Sequence, residues 1–199
     1  MADSAPIVVD AHTHAFPPDC VLDRSRHAQR DRWFGELYDA PTARVIHADD
    51  LIAAMDAAGV SQAVVCGWPW SDPGLCREHN DYMAEAARES AGRLVWLGTV
   101  APASPRAAAE TVRCLDMGAA GIGELNADAQ GFDLTHSRAL ADVAEVLTEA
   151  GRPLLLHASE PVGHGYLGRG TAPPARLIRV VGTQPAPRAA LAHWGGGLP

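Results

Sequence analysis

Ile7-Val8-Val9-Asp10-Ala11-His12-Thr13-His14 sets an apolar run directly against an acid and two alternating histidines. Ile7–Asp10 has the β-branched composition of a buried strand. Side chains two apart on extended backbone share a face, so His12 and His14 converge on one point beside Asp10. Two imidazoles so placed can chelate a zinc, iron, nickel or copper ion. With nine histidines in 199 residues, roughly 0.4 such pairs arise by chance, so the pair acquires weight only from its surroundings.

Outward from that strand, short apolar runs recur at Ala63–Cys66, Leu94–Val100, Ala120–Leu125, Leu154–His157 and Ala189–His193. Helical patterns lie between them. Asp49-Asp50 is expected to cap a helix through Leu51, Ile52 and Met55 that stops at Gly59. Tyr82, Met83, Ala86 and Ala87 form a second stripe, ended by Gly92. Ser104-Pro105 opens a third helix that ends at Gly118. Leu140, Val143, Ala144 and Leu147 mark a fourth, and Leu177, Ile178 and Val181 a fifth. Such alternation predicts α/β architecture around a parallel sheet covered on both faces. An eight-fold barrel needs about 250 residues. The chain, read as one domain over 1–199, therefore fits either an open doubly wound sheet or a partial (β/α)8 barrel of about six βα units.

Composition narrows the chemistry. All 16 basic residues are arginine, which excludes Schiff-base lysine chemistry, a P-loop and a carbamylated-lysine metal bridge. A net charge of -8 argues against nucleic acid or an anionic membrane as partner and leaves a small-molecule substrate. Cys20, Cys66, Cys76 and Cys114 form no Cys-x-x-Cys pair. A reducing, cytoplasmic setting is the expectation, with Cys66 a small buried hydrophobe. No targeting signal and no membrane span is found in the sequence.

The ends of the strands carry the chemical signal. Glu124 closes Gly121-Ile-Gly-Glu124, His157 closes Leu154-Leu-Leu-His157, and His193 closes Ala190-Leu-Ala-His193. Parallel α/β folds place their sites at these carboxyl ends. Two long connections flank them. Residues 15–48 contain Trp33, Phe34 and Tyr38 and are expected to form a lid, while 158–172 carry Glu160, His164, Tyr166 and Arg169 among glycines. Trp68, in Gly67-Trp-Pro-Trp70, is expected to wall a substrate pocket or to plug the loop side. Glu160 and His164 lie near the expected metal mouth as substrate-binding candidates. Asn80 is expected to cap a helix opening at His79-Asn80-Asp81, and His27, His47 and His136 to lie on the surface.

Val9-Asp-Ala-His-Thr-His14, Gly121-Ile-Gly-Glu-Leu125, Leu155-Leu-His157 and Ala192-His-Trp-Gly-Gly196 together resemble the amidohydrolase superfamily. They are most similar to its amidohydrolase-related branch of metal-dependent barrel hydrolases and decarboxylases. The resemblance implies His12, His14 and His157 as metal ligands and His193 as the catalytic acid/base. It places Glu124 at the strand-four position, where it can ligate the metal or bridge a second one. It implies one divalent transition ion, zinc ahead of manganese or iron. The implied reaction is hydrolysis of a C–N or C–O bond by metal-activated water, with decarboxylation as the alternative. The family's strand-eight aspartate has no counterpart in these 199 residues. A chain lacking the last two βα units is therefore expected, associating through open barrel edges. A fragment that binds metal or a partner without turnover is the further alternative.

Overall fold

The computed structural model describes residues 7–135, 138–182 and 188–197. His136 and the ends of the chain, including Pro199, lie outside them. In chain order the elements are β1 (Val9–Thr13), α1 (Pro18–Leu22), α2 (Arg24–Arg30), α3 (Arg32–Tyr38), α4 (Ala48–Ala58), β2 (Gln62–Val65), α5 (Pro73–Glu89) and β3 (Leu94–Gly98). There follow α6 (Ala107–Asp116), β4 (Gly121–Leu125), α7 (Ala127–Gln130), α8 (Ala141–Glu149), β5 (Leu154–Leu156), α9 (Pro174–Gly182) and β6 (Ala189–Leu191). A turn over Ala192–Gly197 closes the described chain, its backbone left-handed from His193 to Gly196.

All strand pairs are parallel and the six strands lie in the order β1-β2-β3-β4-β5-β6. That order decides between the two architectures. A doubly wound sheet reverses direction at a switch point; here every strand neighbours its successor, as in a barrel wall. The chain is a partial (β/α)8 barrel with β1 and β6 at its edges. Burial follows position in the sheet. Every residue of the inner strand β4 is buried, whereas Val9 at the β1 edge is 46% exposed.

The main core lies between the sheet and its helices, where Leu51 and Met55 of α4, Met83 of α5, Cys114 of α6, Val143 and Leu147 of α8 and Leu177 of α9 meet Val65, Trp96, Ile122 and Leu156. Several helix starts differ from the sequence expectation. The α4 helix begins at Ala48 after His47, and Asp49 and Asp50 sit in its first turn, where their charges favour the positive end of the helix dipole. The α5 helix begins much earlier than Asn80. Asp72 accepts from Gly74 N and Leu75 N, and Pro73 stands at the first position. Asn80 is thus mid-helix and buried. Its Nδ2 donates to Thr99 O and Glu110 Oε1, and its Oδ1 accepts from Thr99 N, so it ties α5 to the end of β3. The α6 helix starts at Ala107, two residues beyond Pro105.

Gly121 explains how β4 and β5 come so close. A Cβ at that position would lie 2.4 Å from Pro153 O, so only glycine allows the pairing. Gly121→Ala is expected to lower unfolding stability by about 1–3 kcal/mol, the usual range for overpacking. Urea denaturation measures this, and an unchanged midpoint would contradict the packing described.

Candidate metal centre

The cluster is built outward from Glu124, which is only 4% exposed at the end of β4. Its Oε1 accepts from His157 Nδ1 and His193 Nε2, both at 2.9 Å. Its Oε2 lies 3.2 Å from His12 Nε2 and 3.6 Å from His14 Nε2. Four strand ends thus bring five side chains to one point. The close approach of β5 to β4 sets His157 against the carboxylate. On the other flank, β1 pairs with β2, and His14 Nδ1 donates to Cys66 O at 3.0 Å. A carbonyl only accepts, so that bond places hydrogen on Nδ1 and leaves the His14 Nε2 lone pair facing inward. His12 Nε2 lies 3.2 Å from it.

Burial by itself would raise the Glu124 carboxyl, but the hydrogen bonds it accepts from the surrounding histidines, His157 and His193 at 2.9 Å among them, outweigh it and hold the group far below the usual carboxylate range. The hydrogen bond to Glu124 in turn raises His193 against its own partial burial, with Glu160 adding to the attraction. Cys66 is different: burial pushes its thiol up to about 12, which makes it an inert packing group.

The donor set fits a transition ion. Ring nitrogens and a carboxylate oxygen are the ligand types such ions take, and His12, Glu124 and His193 offer theirs within 4.8 Å of one another. This trio differs from the sequence-expected set of His12, His14 and His157. His14 Nε2 lies 3.2 Å from His12 Nε2 beside the trio, and His157 Nδ1 shares Glu124 Oε1 with His193 Nε2.

A cavity of about 330 Å³ opens above the cluster, and His14, Glu124, His157 and His193 line it. Its aromatic wall is Trp33 and Tyr38 of α3 with Trp68, and its far rim is Glu160, Tyr166, Leu167 and Gly168. Residues 15–48 therefore supply a wall, organised as three short helices. Trp68 lines the cavity and also packs into an aromatic plug with Phe16, Phe34 and Trp70. Glu160 Oε2 accepts from Tyr166 Oη at 2.8 Å on the rim. His164 meets the Tyr166 ring edge-on instead and is not among the described residues lining the cavity. Asn126 lines it too, a residue the sequence reading passed over. Its signal was an Asn directly after a strand end, and it caps α7 by accepting from Asp128 N and Ala129 N.

Two histidines expected elsewhere belong to the plug. His27 is 3% exposed, contrary to the surface expectation, because α2 folds its ring against Phe34 and Trp70. His79, also buried, accepts from Trp70 Nε1 at 2.9 Å through Nδ1. His47 is half-buried, with Nδ1 3.3 Å from Asp50 Oδ2.

With this geometry in place, the comparisons assign the class. The amidohydrolase family model matches residues 9–199, and the chain belongs to that family. The search of curated proteins finds no match. Among solved structures it is similar to a 5-carboxyvanillate decarboxylase of Novosphingobium aromaticivorans, complexed with manganese and a nitrobenzoic acid, at TM-score 0.74 and 21% identity, covering 100% of this chain and 68% of that one. The 5-carboxyvanillate decarboxylase of Sphingomonas paucimobilis gives TM-score 0.71 at 18% identity, covering 98% and 69%. A probable 2-pyrone-4,6-dicarboxylic acid hydrolase of Acinetobacter baumannii, with citric acid bound, gives 0.54 at 15%, covering 89% and 54%. At these identities the likeness shows the fold. No helix among the described residues is long and apolar enough to cross a membrane.

The plug generates a pH prediction. Burial, with His14 acting in the same direction, depresses His79 from 6.5 to about 3. The unfolded chain then binds a proton that the folded chain refuses, so stability falls as pH drops through that window, at up to about 1.4 kcal/mol per pH unit. His79→Gln is expected to flatten the acid limb of a stability–pH curve measured by urea titration. Equal slopes in the two proteins would contradict it.

Proposed function

We propose that this chain carries the metal- and substrate-binding part of an amidohydrolase that cleaves a C–N or C–O bond in a small, flat carbonyl compound. The observation that carries the reading is the convergence of His12, His14, His157 and His193 on buried Glu124 at the floor of an aromatic-walled cavity. His12, His14, His157 and Glu124 would hold one divalent ion, zinc or manganese by ligand type. When bound, such an ion polarises a carbonyl oxygen and acidifies water.

The protein's own groups supply the rest. His193, oriented by Glu124 and half-open to the cavity, takes a proton from the attacking water and returns it to the leaving nitrogen or oxygen. Glu124 fixes the ring orientations of His157 and His193 by accepting from both. Trp33, Tyr38 and Trp68 hold a planar substrate by apolar contact and exclude bulk water. Tyr38, whose burial raises its pKa further above the ordinary value, stays a neutral hydroxyl donor beside the cluster.

Charge favours hydrolysis of a neutral compound. The described cavity lining contains two carboxylates, Glu124 and Glu160, and no arginine, so a free carboxylate finds no guanidinium partner among those residues. Decarboxylation is the second reading, favoured by the aromatic wall and by the reactions of the two decarboxylases similar in fold.

A panel of aryl amides, esters and lactones, run beside aromatic carboxylates with CO2 release monitored, separates the two. Metal-dependent hydrolysis is expected, and CO2 release without hydrolysis would transfer the assignment to the second reading. His193→Ala is expected to lower kcat/KM by about 10²- to 10⁴-fold, the usual contribution of a general acid/base. Undiminished turnover in that variant would remove His193 from the mechanism.

A further inference from the structure

Against the aromatic plug lies a second group of ligand-type side chains, Asp19, His27 and Glu78. His27 of α2 is 3% exposed, and its ring packs against Phe34 and Trp70. Its Nδ1 lies 3.2 Å from Asp23 O. Because a carbonyl oxygen only accepts, this contact places hydrogen on Nδ1. In a neutral ring Nε2 then carries a lone pair, and that atom faces Asp19 Oδ2 of α1 at 3.6 Å. Glu78 of α5 brings a further carboxylate oxygen, and all three ligand atoms lie within 4.8 Å of one another. A lone pair aimed at carboxylates is an electrostatic mismatch that something positive must resolve.

We infer that Asp19, His27 and Glu78 form a divalent-cation site that ties the helices over the cavity to α5. A proton on Nε2 is the competing occupant. A divalent ion satisfies the nitrogen and both carboxylates together. The surrounding charge accommodates it. Arg30 donates to Glu78 and Asp72 together, while Asp19 keeps its half-exposed carboxylate beside His27. Tetrahedral ligands at 2.0–2.2 Å from zinc stand about 3.4 Å apart, close to the geometry that Nε2 and Oδ2 already have. One imidazole with two carboxylates suits zinc, manganese, cobalt or nickel rather than calcium or magnesium, which favour all-oxygen sites.

The consequence is regulatory. Asp19 and His27 belong to α1 and α2, which lead into α3 with its cavity residues Trp33 and Tyr38, whereas Glu78 belongs to a scaffold helix. Metal at this site would therefore fix the cavity wall without touching the reacting atoms.

Equilibrium dialysis against Zn2+ tests the inference, comparing the full chain with Asp19→Asn and Glu78→Gln, two half-exposed positions. Each variant is expected to bind one equivalent fewer than the parent, and long-range 1H–15N spectra of the parent should show Zn2+ shifting His27 Nε2. Equal stoichiometry in parent and variants would overturn the site. So would a His27 ring protonated on both nitrogens at pH 8 and unmoved by Zn2+, which would assign the role to a proton.

Discussion

The arrangement of the site depends on one buried carboxylate. Glu124 sits at the end of the most enclosed strand, and an unpartnered charge there would be strongly destabilising. It is stabilised because the β1 end delivers two imidazoles to it, and the β5 end and the turn after β6 one each. The dependence is mutual. Without Glu124, His157 and His193 lose the acceptor that orients them, and His12 Nε2 loses the carboxylate oxygen 3.2 Å away. The same group therefore organises the sheet ends and defines the chemistry available there.

Sequence periodicity reveals the six strands because each is a short apolar run set between amphipathic helical stretches. It left open whether they form a barrel wall or a doubly wound sheet, since strand order is a long-range property that local pattern does not encode. The strand-end residues His12, His14, Glu124, His157 and His193 were legible from position alone. Their pairing was not: that Glu124 would insert between the rings depends on Gly121 admitting β5 close to β4. Asn80 resembles a cap because it precedes an amphipathic stripe, while the actual cap is Asp72 with Pro73 at the first helical position. His27 reads as a surface residue because it falls within the long connection over 15–48. Only the fold of 15–48 reveals that α2 turns it inward.

The aromatic plug links these two levels. Phe16, Phe34, Trp68 and Trp70 close the loop side of the sheet, and Trp68 also forms part of the cavity. Apolar packing at this end is therefore a condition for the site's shape as well as for stability. The helices over residues 15–48 are short, and short helices gain little from propensity alone. Their order rests on this packing and on their polar ties, Arg30 to Glu78 and Asp31 to Ser71 among them.

X-ray absorption spectroscopy of the chain loaded with one equivalent of Zn2+ tests the central claim most directly. The account predicts multiple scattering from at least two imidazoles, with nitrogen and oxygen ligands at about 2.0–2.2 Å. A shell of oxygen alone, or of a single imidazole, would show that the strand-end histidines do not form the metal centre.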